Sequence, residues 1–357
     1  MSEQSAVGIS EETSNAASDG SFRPRMIAAR VSRLTALLCS VATAISLLAH
    51  YWWLADLIAN LRIQLIIGLI FSVAGLFATR QNRLATCMAA VLLWHCSWIA
   101  PYLVAPPKPV GVRPLKICTV NVLTQNPQHD KVLAVLKDAD PDILAVLELG
   151  SALESRLIEE LSDDYPHRIT EPSDDGNFGI GLWSKLPLQD KQIFHLTVPL
   201  VPSISVQVIW EGRPVRLFAT HPIPPMNSRY FQARNRHLKL LAQRIRKQDQ
   251  SSVEAATIVV GDLNLTPWSP WYGKFLADAG LKDCIAGDGM ASLTPTWYRW
   301  PLFPFGLVLD HGFYGGGLRC SNRKVLEDIG SDHRPVLLEF IHRPDFSLQE
   351  VENLQKK

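Results

Sequence analysis

Three long stretches without a formal charge lie in the first 110 of the 357 residues, and they constrain the fold more than any other feature of the chain. The first runs from Leu34 to Ala55 (22 residues), the second from Ile63 to Thr79 (17 residues) and the third from Leu84 to Pro107. A hydrocarbon core of about 30 Å asks for roughly 20 apolar helical residues. Buried helices of water-soluble proteins are rarely uncharged for so long, and three in succession are rarer. A cleaved signal peptide would start earlier, be shorter and lack two further spans behind it. The reading is three transmembrane helices within residues 34–107. They follow a tail, 1–33, whose first part is rich in Ser, Glu and Ala and is expected to be flexible.

The arginines orient these spans. Arg23, Arg25, Arg30 and Arg33 precede the first, and Arg80 and Arg83 separate the second from the third. Between the first and second there is only Arg62, with Asp56 nearby. The arginine-rich side faces the cytoplasm, so the N-terminus is inside and three crossings leave the rest of the chain outside. In a bacterium with two membranes this means a multi-pass protein of the inner membrane with a periplasmic domain. Trp52, Trp53, Trp94 and Trp98 sit toward span ends, where aromatic rings favour the interface. His50 and His95 are read as interfacial or helix-packing side chains rather than as a functional intramembrane pair. Pro101, Pro106, Pro107, Pro109 and Pro114 cannot continue a helix, and 108–114 reads as a short, stiff tether.

Composition then narrows the function of the remainder. Residues 111–357 carry 27 Lys and Arg against 29 Asp and Glu, so the basic surplus of a strong nucleic-acid binder is lacking. A hydrophobic fraction of 47% excludes a largely disordered chain, and six cysteines exclude a disulfide scaffold. Cys118 falls in an expected core strand, and Cys284 and Cys320 could pair in an oxidising compartment.

Residues 115–343 read as one α/β domain, followed by a polar tail, 344–357. Short β-rich runs recur at 115–120, 143–147, 179–183, 203–210, 215–220, 257–260, 307–313 and 336–340. Amphipathic helices are expected near 130–137 and 229–247, and a third from Ser269 to just before Gly280. The turn Glu211-Gly212-Arg213-Pro214 joins two strands as a hairpin. Helices between strands, together with hairpins, suggest a mixed sheet or two stacked sheets with helices outside.

The chemistry gathers at strand ends. Val120 is followed by Asn121, Leu147 by Glu148 and Thr220 by His221. Val260 leads into Gly261-Asp262-Leu263-Asn264, Leu309 into Asp310-His311, and Gly330 into Ser331-Asp332-His333-Arg334-Pro335. Carboxylates, amides and imidazoles leaving adjacent strands converge on one sheet edge, where α/β proteins place their sites. His311 follows Asp310 on a strand, so its side chain points to the other face. Arg234 and Asn235 are read as part of a solvated helix face. Trp268, Trp271, Trp297 and Trp300 could flank the cleft, although packing is the commoner use of each.

In this order, over residues 115–341, these motifs resemble the endonuclease/exonuclease/phosphatase family, the DNase I-like fold of nucleases, sphingomyelinases and polyphosphate phosphatases. Three spans followed by such a domain are similar to a membrane-anchored bacterial branch of it. The resemblance implies a four-layered α/β sandwich, two stacked mixed sheets flanked by helices, behind three transmembrane helices. It implies a Mg²⁺ ion, with Mn²⁺ as substitute, held by Glu148, Asn121 and Asp332. His333 is then the general base, Asp310 its orienting partner and Asp262 the residue that orients the attacking water; Asn264 and His221 donate to the phosphate. Phosphoester hydrolysis needs this combination of a cation, a base and donors to the pentacoordinate centre. The expected activity is membrane-anchored hydrolysis of a phosphodiester or phosphomonoester, on a lipid headgroup or on nucleic acid. The alternatives are a nuclease proper and a non-catalytic membrane scaffold that retains the fold. No protein partner is inferred. Leu123 stands where some DNA-repair members carry a second carboxylate, which argues against an abasic-site role.

Overall fold

A computed structural model describes residues 12–104, 113–251, 256–285, 289–298 and 306–342. The Pro-rich tether lies largely outside these residues, as do the C-terminal tail and Trp300.

The N-terminal region is helical: α1 (Glu12–Ser46), α2 (Trp53–Ala59), α3 (Arg62–Ala78) and α4 (Asn82–Ile99), with α4 running into a 3-10 turn at Ala100–Tyr102. Two expectations change here. Helix begins at Glu12, so much of the expected flexible tail is helical. The first uncharged run is not one span, because the chain leaves the helix after Ser46 and turns before α2. Two segments, Pro24–Ser46 and Asn82–Tyr102, are long and apolar enough to cross a membrane; a third is added if α2 and α3, bent by 62°, count together. At 1.5 Å per residue the 17 residues of α3 span only about 26 Å, short of the hydrocarbon thickness. Leu34, Leu37, Leu38, Phe71 and Leu93 are all exposed on these helices.

The rest of the chain is built on two six-stranded mixed sheets. The strands are β1 (Leu115–Asn121), β2 (Ile143–Leu147), β3 (His167–Glu171), β4 (Ile180–Ser184), β5 (Gln189–His195), β6 (Pro202–Trp210) and β7 (Arg213–Thr220). They continue as β8 (Ala256–Asp262), β9 (Lys282–Asp283), β10 (Trp297–Tyr298), β11 (Gly306–Leu307), β12 (Asp310–Gly315), β13 (Leu318–Val325) and β14 (Val336–His342). The first sheet has the order β13-β14-β1-β2-β4-β3 and the second β5-β6-β7-β8-β12-β9, with β10 and β11 a separate ribbon. Each sheet contains one parallel pair, β1 with β2 and β7 with β8. Both pairs need a helical crossover: α5 (His129–Ala139) serves the first and α7 (Ser228–Ser251) the second. The remaining helices are α6 (Ser151–Leu161) and α8 (Pro270–Ala279).

Side chains alternate across each strand, so every central strand feeds two cores. Ile117, Ala145, Val206, Leu217, Ile258 and Leu338 belong to the core between the sheets. Cys118, Val146 and Trp183 pack outward with Val132, Leu136 and Leu157 of α5 and α6. Phe218, Val259 and Phe313 pack outward with Leu241, Ile245 and Phe275 of α7 and α8. The result is helix, sheet, sheet, helix.

Local chemistry places the connections. Glu211 (φ 50°) and Gly212 (φ 74°) make a two-residue hairpin that closes on the pair Trp210 and Arg213. Ser269 caps α8 by accepting from the Trp271 N–H, and Gly280 (φ 72°) ends it. The expected strand 307–313 is split between β11 and β12. At the break, Thr296 Oγ1 accepts the N–H groups of Leu309 and Asp310, both at 3.0 Å. Cys118 is fully buried, which pushes its thiol up to about 12, and Cys284 and Cys320 are free thiols.

Candidate active site

The parallel pairs of the two sheets end at the same edge. Asn121 closes β1, Glu148 follows β2, His221 follows β7 and Asp262 closes β8. Asp310 opens the antiparallel β12 directly opposite Asp262. His333 lies in the loop before β14, which runs antiparallel to β1. Glu148, His221, Asp262, Asn264, Asp332 and His333 line one cleft of about 620 Å³. The sequence-predicted residues are thus brought together, with Asn121 and Asp310 directly behind that lining.

The backbone is under constraint here. Glu148 (φ 56°) and Asn264 (φ 52°) both occupy the left-handed region, an arrangement that costs on the order of 1–3 kcal/mol and gathers at functional sites. Gly261 has φ 145°, and a Cβ there would sit 1.9 Å from the carbonyl oxygen of Thr220. Only glycine lets β8 pass so close to the residue that precedes His221.

Carboxylates and imidazoles alternate through the site. His221 Nε2 is 3.9 Å from Glu148 Oε1 and 3.4 Å from Asp262 Oδ2. On the other side of Asp262, His333 Nε2 is 3.6 Å from the same oxygen, and His333 Nδ1 is 2.8 Å from Asp310 Oδ2. Burial opposes the charge on His333, but Asp310 and Asp262 overcome it and raise the imidazole to about 10. Burial likewise works against the Asp262 carboxylate, and His333 and His221 nevertheless hold it down at about 2. His221 is raised in spite of burial because Asp262 and Glu148 face it. Burial raises Glu148 itself, and its neighbours only partly offset this.

Glu148 and Asp310 each have a buried carboxylate oxygen without a hydrogen-bond partner, available to a cation. Glu148 Oε1 accepts from Asn121 Nδ2 at 2.8 Å, while its Oε2 is buried without a hydrogen-bond partner. A buried carboxylate oxygen left bare is costly unless a cation or water completes it. Asn121 turns its nitrogen toward Glu148 and Asp262, and its oxygen accepts the Leu123 N–H at 3.1 Å. It therefore orients the carboxylate instead of offering its own oxygen. Asp332 Oδ2 accepts from Trp297 Nε1 at 2.9 Å at the cleft wall. One atom each from Asp262, Asp310 and His333 could also surround an ion. Both nitrogens of His333 already face carboxylates there, so neither is left over as a ligand.

Other residues change place relative to the sequence reading. Arg234 and Asn235 are buried, not solvated. The face of α7 that carries Arg234 is covered by the α2 turn, a partner that helical periodicity does not reveal. Trp297 lines the cleft, Trp268 is a core residue, and Trp271 stacks on His50 with ring centroids 4.6 Å apart. His311 points away from the site and bonds to the Leu265 carbonyl at 2.8 Å. Sequence reasoning missed Leu57, Asn60 and Leu61, which form part of the cleft wall. The available signal was Asp56, the lone carboxylate between residues 24 and 104.

Residues 118–333 match the endonuclease/exonuclease/phosphatase family. No curated protein matches the chain. Among solved structures, a humanized Danio rerio TDP2 carrying 14 mutations is 20% identical with a TM-score of 0.53, covering 64% of this chain and 99% of that one. An endonuclease/exonuclease/phosphatase from Beutenbergia cavernae is 20% identical with a TM-score of 0.53, covering 65% and 72%. The human nocturnin catalytic domain with bound sulfate is 20% identical with a TM-score of 0.51, covering 66% and 97%. At these identities the likeness is one of fold.

Proposed function

Since the chain belongs to the endonuclease/exonuclease/phosphatase family, whose members are phosphoester hydrolases, we propose that it is a Mg²⁺-dependent phosphoester hydrolase held at a membrane, its cleft facing lipid headgroups. The observation that carries this reading is the alternation of carboxylates and imidazoles around Glu148, whose buried Oε2 lacks a partner. Acids outnumber imidazoles at this edge, so an anionic phosphate is repelled unless a cation accompanies it.

Glu148 and Asp332 hold the cation in this reading, and Asn121 keeps Glu148 in place. Mg²⁺ suits a site of few carboxylates because it keeps several waters, and Mn²⁺ substitutes for it. When bound, the ion supplies charge compensation and polarises a phosphoryl oxygen. With a cation beside these carboxylates offsetting the charge that keeps His333 protonated, the neutral ring takes the proton of the attacking water at Nε2. Asp310 holds the Nδ1–H and stabilises the resulting imidazolium. Asp262, beside both imidazoles, orients the water. Asn264 Nδ2 and His221 donate to the phosphate, and both face the cleft.

Two features support a lipid headgroup as substrate. Leu57, Leu61, Pro224, Pro225, Met226 and Leu307 line the cleft beside the polar edge, and no Lys or Arg is among its described lining residues. Nucleic acid would call for the opposite, a basic groove along the phosphates. Contacts to the domain come from the α1–α3 turn and from the end of α4, through Asp56, Asn60 and Tyr102. Arg33 and Gln81 bond to each other at the start of α1's apolar part and at the α3–α4 turn, the other end of α3 and α4. This supports a periplasmic domain behind three crossings, with residues 34–107 as anchor and 115–343 as catalytic domain.

The test compares EDTA-sensitive release of phosphorylated product from phospholipid vesicles and from DNA by the full-length chain in detergent. Vesicle turnover is expected, with losses of at least about 10³-fold in kcat for both His333→Ala and Glu148→Gln. Activity that survives both substitutions would refute the assigned mechanism, and a preference for DNA would refute the lipid reading.

A further inference from the structure

The turn between the first two apolar helices penetrates the catalytic domain. Asp56 of α2 has no exposed surface, and its Oδ2 accepts from Arg234 Nη2 at 2.7 Å. Its Oδ1 accepts from the Ser269 hydroxyl at 2.7 Å. Arg234 is equally buried, and its Nη1 donates to the carbonyl oxygen of Asn264 at 3.0 Å. Four residues after Asp56, Asn60 Oδ1 accepts both the N–H and the hydroxyl of Thr266 at 2.7 Å, while the Asn60 carbonyl accepts from Trp268 Nε1 at 2.9 Å. The whole stretch from Asn264 to Ser269 is therefore held from the α2 side.

The stretch held in this way carries part of the site. Asn264 keeps its left-handed backbone with its N–H on Asp262 Oδ1 at 2.8 Å and its side-chain nitrogen 3.2 Å from His221 Nε2. Asparagine tolerates a left-handed backbone better than most residues, so the bonds around Asn264 are what fix its orientation. Arg234 supplies the bond on its carbonyl, and Asp56 is the anion that allows a guanidinium to be buried there at all.

We propose that Asp56 is a positioning residue of the active site: acting through Arg234 it fixes Asn264, so the helical anchor completes the catalytic apparatus as well as tethering it. This rests on the phosphoesterase reading above. A mere fastening between anchor and domain would be served by the Asn60 bonds, and it would not need the Arg234 fork that spans Asp56 and the Asn264 carbonyl.

The experiment uses the full-length chain in detergent micelles with a soluble probe, bis(4-nitrophenyl) phosphate, and Mg²⁺. Asp56→Asn is expected to lower kcat on the order of 10- to 100-fold with KM little changed, the effect of a small misplacement near the reacting atoms. It also leaves a buried guanidinium unpaired and lowers the melting temperature. The double variant Asp56→Asn/Arg234→Met removes that unpaired charge. Its melting temperature should recover toward the parent, while kcat stays low because Asn264 has now lost its donor. Arg234→Lys keeps the charge but not the fork, and should fold with a similarly reduced kcat. Parent-level kcat in the double variant or in Arg234→Lys overturns the proposal. A parent chain without EDTA-sensitive hydrolysis overturns the phosphoesterase reading and this one with it.

Discussion

Histidine shows how far burial and neighbours decide the behaviour of one residue type in this chain. His333 sits between two carboxylates and is raised to about 10. His237, bonded to Thr220 Oγ1 at 2.9 Å, and His311, bonded to the Leu265 carbonyl at 2.8 Å, are buried on neutral partners. Burial pushes both down to about 3. The unfolded chain binds protons on these two below pH 6.5, and the folded chain does not until near pH 3. Their contribution to stability is therefore complete above pH 6.5 and is lost as pH falls through that window, with a slope approaching about 3 kcal/mol per pH unit for the pair. His333 has the opposite sign: its contribution is complete below pH 6.5 and is lost as pH rises toward 10, so it does not offset the acid limb. Burial raises the Asp283 carboxyl to about 6, which opposes the two histidines in the same window, so the fall in melting temperature of the full-length chain between pH 6 and 4.5 is shallower than they alone would give. His237→Gln, which keeps a hydrogen-bonding amide but does not titrate there, should lower the slope by about 1.4 kcal/mol per pH unit. An unchanged slope would mean that His237 is not held neutral.

At the scale of elements, the spacing of β7 and β8 is what brings the two halves of the site together. Gly261 allows it, because the backbone of β8 runs against the Thr220 carbonyl with no room for a methyl group. Gly261→Ala must separate the strands or displace His221, and φ 145° is strained for alanine in either case. A destabilisation of more than about 3 kcal/mol is expected, read as a drop in melting temperature or loss of soluble protein. A variant that melts with the parent would show that the strands part freely. The central strands were legible because both faces are buried and their runs are nearly all apolar, as in Ile143–Leu147. The edge strands β3, β5 and β13 were not. Their exposed or half-buried faces carry Arg168, Lys191 and Arg319, which read locally as loop. Helix α6 went unread although Leu153, Leu157 and Leu161 hold helical spacing; Glu154, Arg156 and Glu159 between them keep its mean apolarity low.

For the whole molecule, the question is which end of the helices meets the catalytic domain. Asp56, Asn60 and Tyr102 make that contact, whereas Gln81 bonds with Arg33 instead. If the helices cross a membrane three times, the α3–α4 turn and the catalytic domain lie on opposite sides. A membrane-impermeant maleimide should then label Lys239→Cys in spheroplasts, above the background of the native cysteines, and label Asn82→Cys only after lysis. The reverse pattern would place the catalytic domain in the cytoplasm. Labelling of both in intact spheroplasts would mean that the helices do not cross three times.

Residues that follow an apolar strand are readable without a structure, because strand ends and the pleat are set by neighbours in sequence. Asn121, Glu148, His221, Asp262, Asp310 and His333 were found in that way, and the fold places them at one edge. The three uncharged runs were equally plain, since apolar length is a property of the chain. The break after Ser46 and the burial of Asp56 were not. Asp56 and Arg234 are 178 positions apart, and nothing in the neighbourhood of either announces the other. A charge enters a protein interior only against a counter-charge, and which counter-charge is available depends on how the anchor and the domain pack.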